Sequence, residues 1–234
     1  RSACKSVLIR INASIYKLFV FYDGIEDKGG NNLLNAIRNL TEDIEYNIDP
    51  KIKEEAVKNI SILHDGDDGF IAIAAKKDRE YVQYHYKVDD LAYNIGKAIS
   101  LDANIYMTPN SFFMPKRKIE NIRKLNALYI DIDYYNIESL KTYDHERILA
   151  ILENDYFGQD VPEPSFVIYT GRGLAVYWLI EPVPIKVLPL WNSIQKFFVD
   201  KLKDMGADSK SIDGARIMRL AGSINDKTGL RSKL

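Results

Sequence analysis

The chain has 234 residues, 46% of them hydrophobic, with 32 Lys and Arg against 33 Asp and Glu. That length gives one large or two small domains with a real core, and the net charge of −1 excludes an overall cationic surface, so any polyanion site has to come from local clustering. A single cysteine, Cys4, excludes an intramolecular disulfide and a multi-cysteine zinc site, His64, His85 and His145 form no HxH or HExxH pattern, and no apolar run reaches the roughly 20 residues of a membrane span.

These exclusions point to a cytoplasmic protein without membrane association. The start Arg1-Ser2-Ala3-Cys4 and the end Arg231-Ser232-Lys233-Leu234 read as those of a fragment of a longer protein.

In chain order, residues 31–41 read as a short amphipathic helix and 50–60 as a charged one opened by Asp49-Pro50. After the Asp65-Gly66-Asp67-Asp68-Gly69 turn, 70–75 and 81–88 read as strands around a turn at 76–79, and 89–98 has helical periodicity. A strand at 104–108 leads into a proline-bounded loop, 109–118. From Leu125 the pattern is a strand, a helix at 144–154, a proline-rich loop, strands at 165–170 and 174–180 joined by Gly171-Arg172-Gly173 as a hairpin, and a long helix at 188–205. The segment 206–225 is predicted to hold a short helix at 215–220. Strands and helices interleave without βαβ regularity, which gives an α+β fold with a mixed or antiparallel central sheet and flanking helices. The division expected is an N-terminal α/β part at 1–103 and a core at 104–234, both within one module.

Three constellations carry chemistry. In Leu128-Tyr129-Ile130-Asp131-Ile132-Asp133-Tyr134 an apolar strand ends in two carboxylates whose spacing puts them on one face. Side by side they would repel, with one held protonated, unless a cation joins them. Oxygen donors of this kind suit Mg²⁺ or Mn²⁺, and such a pair could bridge two ions; a solvated strand end would look the same in isolation. The second constellation is the turn Thr170-Gly171-Arg172-Gly173, where glycines let backbone N–H groups approach an anion and Arg172 can grip phosphate oxygens. An ordinary hairpin needs no ligand to explain it. The third runs from Ala207 to Asn225. It adds Asp208 and Asp213 and places Arg216 and Arg219 three apart, on one face of the predicted helix; the competing reading has Asp213 capping that helix and the arginines solvated. Local charge is positive in two places: residues 201–234 have eight Lys and Arg against four Asp, and 109–124 have five against Glu120 alone.

As a set, in this order and spacing, the three resemble the archaeo-eukaryotic primase superfamily, in particular the primase-polymerase domains of plasmid, phage and mobile-element replication proteins. The resemblance covers 104–227. It rests on Asp131 and Asp133, on Thr170-Gly171-Arg172-Gly173-Leu174 before Tyr177-Trp178, and on Asp208 or Asp213 followed by Arg216-Ile217-Met218-Arg219-Leu220-Ala221-Gly222-Ser223-Ile224-Asn225. It implies a primase-like core performing template-dependent nucleotidyl transfer on single-stranded DNA from nucleoside triphosphates, with a helicase domain in the same or a partner chain. Catalytic carboxylates would be Asp131, Asp133 and Asp208 or Asp213, with Asp131, Asp133 and Asp208 the preferred ligands of two Mg²⁺ or Mn²⁺ ions. Thr170, Gly171, Arg172, Gly173, Arg216 and Arg219 would meet phosphate, and Lys116, Arg117 and Lys118 the template backbone, with Phe112 or Phe113 available to stack bases.

One position departs from the pattern: where the second motif usually carries a histidine, this chain has Ala175. That keeps open a catalytically impaired, nucleic-acid-binding replication initiator domain. A metal-dependent glycosyltransferase is a third reading, since a strand-end DxD also suits a sugar nucleotide.

Overall fold

A computed structural model describes residues 48–101 and 103–234. The helix expected at 31–41 and Cys4 lie outside the described residues. The first helix, α1 (Pro50–His64), starts where Asp49 accepts a hydrogen bond from Lys51 N–H and Pro50 occupies the first turn. It buries Ala56, Asn59, Ile60, Leu63 and His64, one stripe at helical spacing, and extends a turn beyond the expected end because that stripe continues. Strands β1 (Phe70–Lys77) and β2 (Glu80–Lys87) form a hairpin, with Asp78 at φ 52° in its turn, a conformation a short polar side chain tolerates. Residues 71–75 of β1 are all buried, as in a strand covered on both faces.

Helix α2 (Val88–Ile99) follows, then β3 (Asn104–Met107) and β4 (Ser111–Phe112). The short β4 is a strand within the segment expected to be a loop, and it links β1 to β5 (Ile122–Ile132). Helix α3 (His145–Asp155) is capped by Asp144. Next come the hairpin β6 (Phe166–Tyr169) and β7 (Leu174–Pro184), helix α4 (Leu188–Leu202) and a last two-residue strand, β8 (Met218–Arg219). The expected long helix stops at Leu202 and passes through a 3-10 turn, Lys203–Met205, to Gly206 in the left-handed region.

All named strand pairs are antiparallel, in the sheet order β6-β7-β5-β4-β1-β3-β8 with β2 on β1. The fold is thus α+β with an open antiparallel sheet and flanking helices, as expected. β1 sits between β4 and β3, so the described residues before 103 share one sheet with those after it.

The helix expected at 215–220 is absent. Asp208 caps a 3-10 turn, Ser209–Ile212; the Asp213 carboxylate then accepts from Ala215 N–H, and β8 pairs with β3. Burial alternates across Met218, Arg219 and Leu220, the period of a strand rather than a helix. Arg216 and Arg219 therefore share no helical face.

The long β5 pairs with β7 along one edge, while β4 covers only the start of the other. Beyond it the free edge is satisfied piecemeal, as buried backbone requires. Asn110 Oδ1 accepts from Asn126 N–H, and Trp191 Nε1 donates to the Ala127 carbonyl. The Gln195 amide accepts from Tyr129 N–H and donates to the Tyr129 and Ser211 carbonyls, and Ser211 Oγ accepts from Asp131 N–H. Tyr129, Tyr177 and Trp191 are fully buried around this seam.

Candidate active site

The free edge of β5 brings a distant segment to the paired carboxylates. Asp208 N–H donates to the Asp131 carbonyl at 2.8 Å, and Asp133 N–H to the Gly206 carbonyl at 2.8 Å. This backbone pairing depends on Gly206, which has φ +89°; a Cβ there would lie 2.9 Å from the Asp133 carbonyl, and only glycine accepts both conditions without strain. As a result, oxygens of Asp131, Asp133 and Asp208 lie within 4.8 Å of one another. Asp213 is outside that group and solvent-exposed.

The electrostatics follow from crowding. Burial, then the negative charges of Asp133 and Asp208, push the Asp131 carboxyl up to about 6, against the opposing pull of Arg216. Arg216 Nη2 donates to Asp208 Oδ2 at 2.6 Å and reaches Asp131 Oδ2 at 3.5 Å. One guanidinium thus contacts two of the three carboxylates. The donor set is all oxygen, clustered and short of positive charge, which fits a hard divalent cation.

The turn between β6 and β7 lies against this cluster. A Cβ on Gly173 would sit 2.6 Å from the Ile132 carbonyl and 3.6 Å from Asp133 Oδ1. Within the turn, Thr170 N–H donates to the Gly173 carbonyl and Gly173 N–H to Thr170 Oγ1, so its other two N–H groups are those of Gly171 and Arg172. The Arg172 guanidinium lies 3.7 Å from the ring centroid of Tyr135, and the Tyr135 hydroxyl donates to Asp133 Oδ1 at 2.8 Å. Tyr135 therefore couples the turn to a carboxylate of the cluster. Sequence reasoning missed it; its position two residues after Asp133 was the available signal.

Asn225 was also missed, although it ends the arginine-containing run. Its buried amide donates to the Thr170 carbonyl at 3.0 Å, and Tyr169 pairs with Lys233, so the C-terminal segment braces the turn. Arg219 is engaged elsewhere: its guanidinium donates to the Ile224 carbonyl, Asn104 Oδ1 and Tyr106 Oη. Ala175 stands opposite Asp131 in the β5–β7 ladder and is 1% exposed.

In the basic segment, Lys116 and Lys118 are exposed, Lys118 facing Glu120 at 3.7 Å. Arg117 between them donates to Gln83 Oε1, Tyr81 Oη and the Ala215 carbonyl, tying the β1–β2 hairpin to the segment preceding Arg216. Phe112 is fully buried, whereas Phe113 is 62% exposed.

The fold is similar to that of solved primase domains. The chain is similar to the primase domain of the cyanophage S-2L primase-polymerase, with a TM-score of 0.52 and 18% identity over 77% of this chain and 88% of that one. It is similar also to the crystal structure of primase RepB′, with a TM-score of 0.50 and 14% identity over 75% of this chain and 51% of that one. A replication protein from Clostridium perfringens is 41% identical over 170 residues, 72% of this chain and 40% of the relative. The chain thus spans 40% of the length of that curated relative. No family model matches. The superfamily resemblance read from the motifs is borne out in the fold and accompanied by a relative named for replication. Among the described residues no helix is long and apolar enough to cross a membrane.

Proposed function

We propose that this chain is the nucleotidyl-transfer domain of a replication protein, a primase or primase-polymerase that joins nucleoside triphosphates on a single-stranded DNA template. The observation that carries this reading is the convergence of Asp131, Asp133 and Asp208 within 4.8 Å beside the Thr170–Gly173 turn. Asp131, Asp133 and Asp208 would hold a pair of Mg²⁺ or Mn²⁺ ions. When bound, these supply Lewis-acid polarisation of the reacting oxygens and neutralise charge on the triphosphate. The N–H groups of Gly171 and Arg172, with the Arg172 guanidinium on its Tyr135 platform, orient the triphosphate. Arg216, on Asp208 and Asp131, adds a second cation at the cluster. Exposed Lys116 and Lys118 attract the template backbone, and Arg117 holds their loop in place. A helicase domain, in the same or a partner chain, would be its partner.

Ala175 opposite Asp131 favours one second reading, a binding domain that retains DNA without extending it. The sugar-nucleotide transferase alternative draws no support from the fold. The test is incubation of the chain with Mn²⁺, labelled nucleoside triphosphates and single-stranded DNA. Extended product that disappears in Asp131→Asn supports transfer; template retention without product leaves the binding reading standing.

A further inference from the structure

We infer that Arg216 is a two-position residue: it occupies the cation's place on Asp208 and moves to phosphate when a divalent ion loads. The inference rests on the metal-site reading above. Its starting point is that both oxygens of Asp208 already accept a hydrogen bond. Oδ1 accepts from Lys210 N–H at 2.9 Å and Oδ2 from Arg216 Nη2 at 2.6 Å; each oxygen keeps a further lone pair, so the guanidinium competes with a cation at Asp208 through charge repulsion and for the space at Oδ2. Arg216 also touches Asp131, hence its displacement opens two of the three ligands.

The seat suits a temporary occupant. Arg216 Nε is buried and has no hydrogen-bond partner, although an arginine offers five donors, so this position leaves the side chain incompletely satisfied. The side chain keeps 18% of its surface exposed and borders an open concavity lined by Ser209, Lys210, Ile212 and Asp213. Lys210 and Ser209 there offer a cation and a hydroxyl, a setting in which a released guanidinium can join them on polyphosphate oxygens. Loading then becomes ordered: the ion enters first, and its entry creates the phosphate contact.

The test measures Mn²⁺ binding by the paramagnetic signal of free Mn²⁺, without nucleotide, for the wild-type chain and Arg216→Gln, and then tripolyphosphate binding with and without Mn²⁺. Removing the competitor should tighten Mn²⁺ binding by about tenfold, while the Mn²⁺-dependent gain in tripolyphosphate binding seen in the wild type should be lost. Equal or weaker Mn²⁺ binding in Arg216→Gln overturns the competition, and an undiminished tripolyphosphate gain overturns the second position. A wild-type chain that binds no Mn²⁺ removes the metal-site reading and this inference with it. Should the variant fail to fold, the wild-type Arg216 Nε–H resonance serves instead: it should shift on addition of Mg²⁺, and a stationary signal overturns the exchange.

Discussion

Asp133 has one oxygen committed to the Tyr135 hydroxyl, and the same ring carries Arg172. The two roles separate by mutation. Tyr135→Phe removes only the hydrogen bond that orients the Asp133 carboxylate, a partner of the kind worth about 10–100-fold in metal affinity; Mn²⁺ affinity measured by titration should fall about tenfold with the nucleotide KM near wild type. Tyr135→Ala also removes the cation–π platform, with about 0.5–2 kcal/mol lost, and should raise that KM severalfold. Asp131 illustrates the cost of assembling the cluster. Its carboxyl sits at about 6 against a reference of 3.8; a raised value favours the folded state in acid, and that contribution disappears as pH rises from about 4 through 6. Asp131→Asn should therefore stabilise the metal-free chain at pH 7.5 by about 1–3 kcal/mol, have little effect at pH 4, and abolish Mn²⁺ binding. Thermal melting at the two pH values checks the first part and titration the last.

At the scale of elements, the free edge of β5 organises the site. Gln195 on α4 serves both backbone groups of Tyr129 and the Ser211 carbonyl. Gln195→Leu leaves these buried groups without their partner and should destabilise the fold by about 2–4 kcal/mol in urea unfolding, loosening Ser211 and with it Asp208. His64 at the end of α1 does comparable work on the other side of β5. Its Nε2 lies 3.0 Å from the Thr108 carbonyl and its Nδ1 3.2 Å from the Asn126 amide, which fits a neutral ring donating through Nε2. Burial lowers its pKa to about 4 from 6.5. A lowered histidine contributes stability that is present above 6.5 and lost as pH falls towards 4; burial sets His85 in the same direction. Stability followed by melting should drop across that window, and His64→Gln should flatten the slope. Element types along the chain were readable from apolar periodicity and caps: Asp49-Pro50 and Asp144 mark helix starts where the structure has them. The segment 215–220 was misread because Arg216 and Arg219 sit at helical spacing. The pairing of β8 with β3 is a long-range outcome that local spacing does not encode.

For the molecule as a whole, the sheet runs without interruption from β6 to β8 through β1. A fragment of residues 104–234 would lose β1, leaving β3 and β4 without their shared partner. It should fail to fold alone, as judged by circular dichroism and the loss of a cooperative melting transition. The sequence by itself determined the types of most elements, the strand-end carboxylate pair and the Thr170–Gly173 turn, because these follow from short periodicities and from the chemistry of adjacent residues. Tertiary structure alone decided which later aspartate joins the pair, through backbone pairing of 206–208 with the free edge of β5. It also decided which cations face the cluster: Arg216 turns towards Asp208, while Arg117 and Arg219 are spent on carbonyls and side chains. The physical reason is common to both cases. Which carboxylates and guanidiniums meet is fixed by how distant segments satisfy buried backbone groups, and residue order does not contain that accounting.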